Sequence, residues 1–346
     1  MTITTAPAIV GATLPRIRGA LCEKVLRKSP ELFNQSLATV LAETLQNARR
    51  AGATRVDIEI IGKPGNATLI LRDDGCGIAD FAKLVTFGAS SWDEVTDVTE
   101  NAAGMGVFSL ASRGVTIRSR GRRVTLTREV FCGEAEAIVL PDVGALVGAE
   151  LMFPAREADV ERLVELAVRF YPVPVTLNGK PARQTGFLAG AVYTVEWQGL
   201  RLGVFRNDLP PELFAPGDWP WPRSTNNLYL NFHGHVVAAK GRVHLHEIKG
   251  PDWFVAVDVL NAPDLRLVLP ARNEPIENDF FRALRARAER AIYECIAGQP
   301  AHTLAFTHFQ RARELGIALP PAEITLAIWS GCSEELRHQG AVCRSS

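Results

Sequence analysis

Hydrophobic residues recur at helical spacing over residues 31–51, where Leu37, Leu41 and Leu45 lie four positions apart and Gly52 ends the run. Elsewhere, short apolar stretches rich in β-branched residues alternate with turn residues, a pattern that is typical of β-strands. The combination predicts an α+β fold. Further helices are predicted at 107–112, 159–171, 280–297 and within 301–346. Strands are predicted at 55–61, 67–72, 114–120, 122–128, 135–140, 149–153, 173–177, 192–204, 228–232, 235–243 and 253–260.

Two polar residues lie beside the apolar stripe of the first predicted helix. Glu43 and Asn47 are four residues apart, so both side chains point from the same helix face. A carboxylate and an amide oxygen suit a divalent cation such as Mg²⁺, which prefers oxygen ligands and keeps several waters. Glu43 could also deprotonate an attacking water. Taken alone, the pair is more typical of a solvated helix face.

A second polar cluster follows the strand predicted at 67–72. Asp73 opens it, and Gly75 and Gly77 precede Ile78. Glycines at these places allow positive φ and a close approach of backbone to a ligand. A carboxylate beside bare backbone can accept a hydrogen bond from an exocyclic amine such as that of adenine. A lone Asp-Gly sequence would otherwise be an ordinary turn.

A third cluster consists of Gly104, Met105, Gly106 and Val107, and it opens a short predicted helix. Glycines before a helix start present free N–H groups and the positive end of the helix dipole to an anion, although two glycines alone are a weak signal. The segment between the second and third clusters, 81–103, has the length and polar composition of a mobile lid.

In order and spacing, the three clusters resemble the nucleotide-binding motifs of the GHKL ATPase superfamily. This superfamily includes gyrase B, the ninety-kilodalton heat-shock chaperones, histidine kinases and MutL. The Ala-Gly-Ala-Thr sequence after the first cluster is most similar to MutL, and the segment 104–120 resembles both MutL and the chaperones. The matching residues are Glu43 and Asn47 for the N box, Asp73, Gly75 and Gly77 for the first glycine box, and Gly104 and Gly106 for the second.

The resemblance implies a Bergerat-type α/β sandwich that binds ATP with Mg²⁺. By this likeness Asn47 holds the metal, Glu43 activates water and Asp73 recognises adenine. Nucleotide-driven homodimerisation is also implied. The remaining nucleotide contacts are expected at Gly75, Gly77, Ile78, Gly104, Met105, Gly106 and Val107.

The second half of the chain resembles the transducer domain of MutL and gyrase B. Its segment 269–275 is similar to a MutL segment in which a lysine after Pro-Ala reaches the γ-phosphate, and Arg272 stands in that place. Arginine clamps phosphate well with its planar fork, so Arg272 is a candidate catalytic residue, with an ordinary surface arginine as the alternative. The expected regions are a lead at 1–30, an ATP-binding domain at 31–153, a transducer-like α/β domain at 154–300 and a helical tail at 301–346.

Three positions depart from the superfamily pattern. Arg50 stands three residues after the N-box Asn, where the superfamily often has an acid. Ala149 stands where MutL and the chaperones carry a threonine that helps to hold adenine, and Trp92 stands where the lid usually carries a lysine. These departures make ATP binding a firmer expectation than efficient hydrolysis.

Charge and cysteine content add little to this picture. The 38 basic and 38 acidic residues cancel, so the net charge gives no drive towards nucleic acid or membrane. The densest basic run is interpreted as a solvated sheet face in preference to a polyanion contact. Six cysteines without a C-x-x-C pair indicate neither a disulfide framework nor a zinc ribbon, and they fit a reducing cytoplasm. The arginines of the basic run are Arg118, Arg120, Arg122 and Arg123.

Two H-x-H pairs, at 233–235 and 244–246, lie on predicted strands. Each pair shares a strand face, so a zinc site is conceivable, but packing or surface histidines are the favoured interpretation because no cysteine or carboxylate stands at a fixed spacing. No signal peptide is expected, and no apolar run approaches the roughly 18 residues that a membrane span needs.

Four functions are compatible with these features. A DNA-processing clamp like MutL or a topoisomerase would bind DNA in a salt-dependent way, whereas a chaperone-like clamp would bind protein clients without DNA. A histidine kinase needs a phosphoacceptor histidine before its ATPase domain, and no histidine precedes His233, so this function is disfavoured. The fourth is a nucleotide sensor with little hydrolysis. The sequence therefore predicts an ATP-dependent conformational switch whose client, DNA or protein, is open.

Overall fold

A computed structural model of the chain describes residues 27–28, 31, 36–89, 106–144, 146–206, 227–241, 243–248, 250–269 and 272–323. The chain divides into two compact units. The first holds the residues up to 168 together with 173–183, and the second holds 169–172 together with the residues from 184 onward. The first unit therefore continues beyond residue 153, where the sequence placed the domain boundary.

The first unit is built on one sheet. Its strands are β1 Val56–Lys63, β2 Asn66–Asp73, β3 Val115–Ser119, β4 Arg122–Leu126, β5 Leu140–Pro141, β6 Ala149–Ala155, β7 Val175–Leu177 and β8 Lys180–Pro181. They lie side by side in the order β5-β4-β3-β6-β2-β1-β7-β8. Neighbours are antiparallel except β1 and β7, which run parallel. Because β7 pairs with β1, residues beyond 153 belong to the first unit.

Among its described residues, the first unit carries the helices α1 Leu37–Arg50, α2 Arg128–Phe131 and α3 Val160–Val168, and 3-10 helices at Ala82–Val85 and Gly106–Leu110. Helix α1 begins at Leu37 because the Ser36 hydroxyl accepts a hydrogen bond from the Thr39 N–H at 3.2 Å. Its predicted apolar stripe is buried, and α1 packs against α3 and against the 3-10 helix at Gly106–Leu110.

The second unit carries another sheet, covered by a long helix. Its strands are β9 Tyr193–Trp197, β10 Leu200–Arg206, β11 Asn227–Phe232, β12 His235–Lys240, β13 His244–His246 and β14 Asp252–Val259. The order is β12-β11-β14-β10-β9, with β13 also paired to β14. Helix α4, Asp279–Ala297, packs its buried residues Phe281, Leu284 and Ile292 against this sheet, and α5, Phe306–Glu314, follows.

Two predicted strands are wrong in extent. The strand predicted at 192–204 is a hairpin, since Gln198 and Gly199 turn the chain with φ of +45° and +77° between β9 and β10. The strand predicted at 135–140 shrinks to the two residues of β5, because most of that segment is exposed to solvent and forms no ladder. An apolar composition alone does not supply the pairing that a strand needs.

The predicted helix at 107–112 is a 3-10 helix at Gly106–Leu110. The predicted lid lies within the described residues only up to Ala89. The described residues as a whole form a mixed α+β structure. None of their helices has the length and hydropathy that crossing a bilayer requires.

Candidate functional site

Helix α1 and the residue that follows it, Ala51, contact the two glycine segments. The backbone of Gly106 lies against the carboxylate of Glu43, since a Cβ at Gly106 would stand only 2.5 Å from Glu43 Oε2. At the other end, Ala51 O accepts a hydrogen bond from Cys76 N at 2.8 Å. A Cβ at Gly75 would lie 2.7 Å from Ala51 O, so that contact also excludes a side chain. At about 1.5 Å per residue, the two contacts are about 12 Å apart along the helix.

Asn47 lies on α1 between these two contacts, one turn after Glu43. Its Oδ1 is 3.5 Å from Nη1 of Arg50. A carboxylate and an amide oxygen fit Mg²⁺ in their chemistry, but the Arg50 guanidinium brings a positive charge to the same place. No group of three or more His, Cys, Asp or Glu able to hold a metal occurs among the described residues. That absence does not argue against Mg²⁺, which is often bound by one or two protein oxygens together with phosphates.

Asp73 is a buried carboxylate at the end of β2, with 8% of its surface exposed. Its Oδ1 accepts a hydrogen bond from Gly75 N at 2.9 Å, and Ala149 N also donates to the carboxylate. Burial raises the pKa of Asp73 above its ordinary value, and the two backbone donors only partly oppose this rise. A carboxylate has about four lone-pair sites, so an oriented acceptor is left for a further donor.

The loop after Asp73 is held in place by the end of β3. Ser119 Oγ accepts a hydrogen bond from Ile78 N at 2.9 Å and donates one to Gly148 O at 2.6 Å. Gly77 has a φ of +71°, and a Cβ there would lie 2.7 Å from Ser119 Oγ. Conformation and space therefore both require glycine at position 77.

Two arginines that the sequence analysis did not assign to the site brace this loop. Arg120 donates to Cys76 O from Nε at 3.0 Å and from Nη2 at 2.7 Å. Arg122 donates to Ala79 O at 2.7 Å, and its guanidinium lies 5.3 Å from the ring centre of Phe81. Both side chains are exposed, in agreement with the interpretation of the basic run as a solvated sheet face. Both nevertheless donate hydrogen bonds to the loop of the first glycine box. In the sequence both arginines stand in the basic run, and residue identity does not reveal these contacts.

Arg118 belongs to a row of ion pairs that crosses four neighbouring strands. It donates to Asp142 at 2.6 Å and to Glu150 at 2.8 Å. Arg72 donates to the other oxygen of Glu150 at 2.5 Å and to Glu59 at 3.1 Å. Burial pushes the pKa of Glu150 upward, but the hydrogen bonds from both arginines outweigh it and leave the pKa lowered. The row contains two cationic and three anionic side chains. It therefore does not form a basic surface to which a polyanion would bind.

Asp74 stabilises the turn after α1. Its carboxylate accepts hydrogen bonds from Thr54 Oγ1 at 2.5 Å, Thr54 N at 2.7 Å and Arg55 N at 3.0 Å. The hydrogen bond from the Thr54 hydroxyl is the main reason that the pKa of Asp74 is lowered. The two acids of the second cluster therefore have different surroundings. Asp74 is hydrogen-bonded to the turn after α1, whereas Asp73 is buried beside the glycine loop.

The third cluster is described only in part. Gly104 and Met105 lie outside the described residues, as does Trp92 of the expected lid. Val107 is half-buried in the 3-10 helix that starts at Gly106. Gly106 O accepts a hydrogen bond from the Ser109 hydroxyl at 2.7 Å, which fixes this backbone beside Glu43.

Arg272 belongs to the second unit and has a φ of +49°. Its N–H donates to Val268 O at 2.8 Å, and its carbonyl oxygen lies 3.0 Å from Nε2 of His235. His246 Nδ1 lies 2.6 Å from Asp252 Oδ1, so these histidines have protein partners. The contact of Arg272 with a γ-phosphate stays a prediction.

Comparison with known proteins finds similarity to DNA mismatch repair protein MutL over part of the chain. The MutL of Erwinia tasmaniensis is 35% identical over 109 residues, which cover 28% of this chain and 17% of that protein. The MutL of Bartonella quintana is 27% identical over 143 residues, covering 41% of this chain and 22% of that protein. The MutL of Escherichia coli is 32% identical over 112 residues, covering 29% and 17% respectively.

The chain thus spans about a fifth of the length of the MutL relatives that it matches, from 17% to 22%. No protein-family model matches the chain. The similarity agrees with the sequence motifs in pointing to MutL, and it does so at modest identity over part of the chain.

Proposed function

We propose that the first unit is a Bergerat-type domain that binds ATP and hydrolyses it with Mg²⁺, as part of a MutL-like conformational switch. One observation carries this proposal: the second glycine segment contacts helix α1 at Glu43, and the first contacts Ala51 directly after the helix, with Asn47 on the helix between these two contacts. Three motifs that are far apart in sequence are thereby arranged along one helix. The similarity to MutL supports the same assignment.

In this proposal each group has a separate task. Asp73 accepts a hydrogen bond from the amine of adenine, the backbone at Gly77 and Gly106 lies close to the nucleotide, and Glu43 takes the proton of the attacking water. Bound Mg²⁺, held by Asn47, would supply positive charge that neutralises the phosphates. Phosphoryl transfer needs little covalent chemistry from a protein, so positioning and electrostatic stabilisation carry the catalysis.

The proposal is tested by measuring ATP affinity and ATP turnover in the same variants. Glu43→Gln keeps the shape of the side chain but removes the base, so turnover should fall at least about 100-fold while affinity stays within about threefold. Asp73→Asn places an amide against two backbone N–H donors, and affinity should fall by about 10- to 100-fold, since a hydrogen bond to a charged group is worth about 1.5–3 kcal/mol. Exposed Glu136→Gln is the matched control and should change neither quantity.

Two results would contradict these assignments. Unchanged turnover in Glu43→Gln would remove Glu43 from the role of base. Unchanged affinity in Asp73→Asn would remove Asp73 from adenine recognition. If the wild-type chain binds no ATP at all, the whole proposal is wrong.

For the client of the switch, we favour DNA processing over a protein client, because the curated relatives are DNA mismatch repair proteins. Nucleotide-driven homodimerisation and a cytoplasmic location belong to the same proposal. Light-scattering mass measurement with and without a non-hydrolysable ATP analogue, each with and without duplex DNA, separates the alternatives. A nucleotide-dependent dimer that retains DNA in a salt-sensitive manner supports the DNA clamp. A dimer that ignores DNA favours the chaperone-like function, and a permanent monomer favours the nucleotide sensor.

A further inference from the structure

The two H-x-H pairs of the second unit have different surroundings in the structure. His233 lies in the turn between β11 and β12 with a φ of +52°, whereas His235 begins β12 and has its Nε2 3.0 Å from Arg272 O. That pair is divided between a turn and a strand, so its two rings do not share a strand face. His244 and His246 both lie on β13, and they keep the arrangement that the sequence predicts.

On β13 the side chains of His244 and His246 lie on the exposed face of the strand. Leu245 between them has only 4% of its surface exposed and belongs to the core formed by the sheet and α4, while both histidines are exposed. Alternate residues of a strand point the same way, and at about 3.3 Å per residue the two histidines are about 6.6 Å apart. Two imidazoles at this spacing can bind one metal ion from the same side.

The sheet register supplies a carboxylate that the sequence did not reveal. Strand β13 pairs antiparallel with β14, and Asp252 stands directly opposite His246. Its Oδ1 lies 2.6 Å from Nδ1 of His246. Because a carboxylate accepts a hydrogen bond, this contact places the proton of the neutral imidazole on Nδ1 and leaves Nε2 with its lone pair. A carboxylate in this position is the usual partner of a histidine that binds a metal through its other nitrogen.

The nitrogen donors select the class of metal. Imidazole suits Zn²⁺, Cu²⁺ and Ni²⁺, whereas Mg²⁺ prefers oxygen ligands. Among the described residues, no group of three or more His, Cys, Asp or Glu can hold a metal. The protein therefore supplies two ligands from β13, and water completes the coordination.

We propose that His244 and His246 bind a divalent transition-metal ion, with Zn²⁺ as the physiological candidate, and that Asp252 is the positioning residue of His246. The site lies in the second unit and shares no residue with the proposed nucleotide site, so the inference does not rest on the proposed function. A metal bound there stabilises the folded chain, as any ligand does that binds the folded state in preference to the unfolded one.

The test is isothermal titration of the metal-free full chain with ZnCl₂ at about pH 8, where an ordinary histidine is neutral. The chain also has six cysteines, so the site is identified by comparing variants. His244→Ala and His246→Ala should each weaken zinc binding by at least about tenfold, because each removes one of two ligands. Asp252→Ala should weaken it by about tenfold, which is the usual effect of losing such a partner. Excess Mg²⁺ should not displace the zinc.

His235→Gln is the matched control, since it removes an imidazole from the other H-x-H pair and keeps a side chain that can bond to Arg272 O. Its zinc affinity should equal that of wild type, and thermal unfolding without metal checks that each variant is folded. In ¹⁵N spectra of the metal-free chain, His246 should carry its proton on Nδ1, and Asp252→Ala should lose this preference. A purely structural role of Asp252 would leave the tautomer unchanged.

Three results would overturn the inference. They are a wild-type chain that binds no Zn²⁺, histidine variants of β13 that bind it as tightly as wild type, and displacement of the zinc by Mg²⁺. An equal loss in His235→Gln would also overturn it, because the effect would then not be specific to β13. None of these outcomes changes the expected ATP binding, so the failure of this inference is distinguishable from failure of the proposed function.

Discussion

Substituting Gly106→Ala should separate folding from catalysis at the proposed site. The added Cβ would lie 2.5 Å from Glu43 Oε2, whereas an ordinary contact begins near 3.4 Å, so the carboxylate must withdraw by about 0.9 Å, the difference between the two distances. The φ of Gly106 is not in the left-handed region, so alanine fits the backbone. Since the atom displaced is the end of a flexible side chain, the cost in unfolding free energy should be below about 1 kcal/mol.

The effect on catalysis should be much larger. A displacement of about 1 Å at a reacting group can reduce a rate by about 100-fold, which corresponds to about 2.7 kcal/mol of activation free energy. Steady-state ATP turnover in the Gly106→Ala variant should fall by about that factor, while ATP affinity stays within about threefold. Gly186→Ala is the matched control, because its φ is also not left-handed and no atom lies within 4 Å of the added Cβ. Turnover within about threefold of wild type in Gly106→Ala would refute the position that we assign to Glu43.

Three further predictions concern stability. Gly148→Ala should cost about 3 kcal/mol or more in chemical denaturation, because its φ is +82° and the new Cβ would lie 2.1 Å from the backbone oxygen of Asp73. Glu150→Gln should lose about 2 kcal/mol at pH 7. Because the folded pKa of Glu150 is lowered, that contribution is present above its ordinary pKa of 4.5 and should vanish as pH falls through the folded value, which urea titrations at several pH values will reveal. Asp73 behaves oppositely. Its raised pKa means that its favourable contribution declines as pH rises from 3.8 through the folded pKa, and Asp73→Asn should abolish this slope in the same titrations.

The local geometry of the candidate site was predictable from the sequence. The spacing of Leu37, Leu41 and Leu45 marks the buried side of α1, and all three residues are buried. The glycine positions also carried information, because Gly77 adopts the positive φ that glycine permits and Gly106 leaves room for the Glu43 carboxylate. Both requirements concern short-range backbone geometry, which residue type limits directly.

Features that depend on distant parts of the chain were not predictable from one sequence. Arg120 and Arg122 bond to carbonyl oxygens more than 40 residues earlier, with separations of 44 and 43 residues, and backbone acceptors leave no trace in residue identity. The parallel pairing of β7 with β1 brings together strands separated by about 120 residues, as Val56 and Val175 show. The β9–β10 hairpin was missed because apolar residues continue on both sides of its two-residue turn.

The pairing of β7 with β1 decides where this chain can be shortened. Asn178 accepts a hydrogen bond from Ile60 N at 2.9 Å, and Pro174 accepts one from Val56 N at 3.0 Å. A fragment that stopped at residue 153 would lack both acceptors. Strand β1 would then be an edge strand with unpaired backbone groups, which can pair with another chain and cause aggregation. A fragment intended for crystallisation or nucleotide titration therefore has to extend through β8, to residue 183, where the first unit ends.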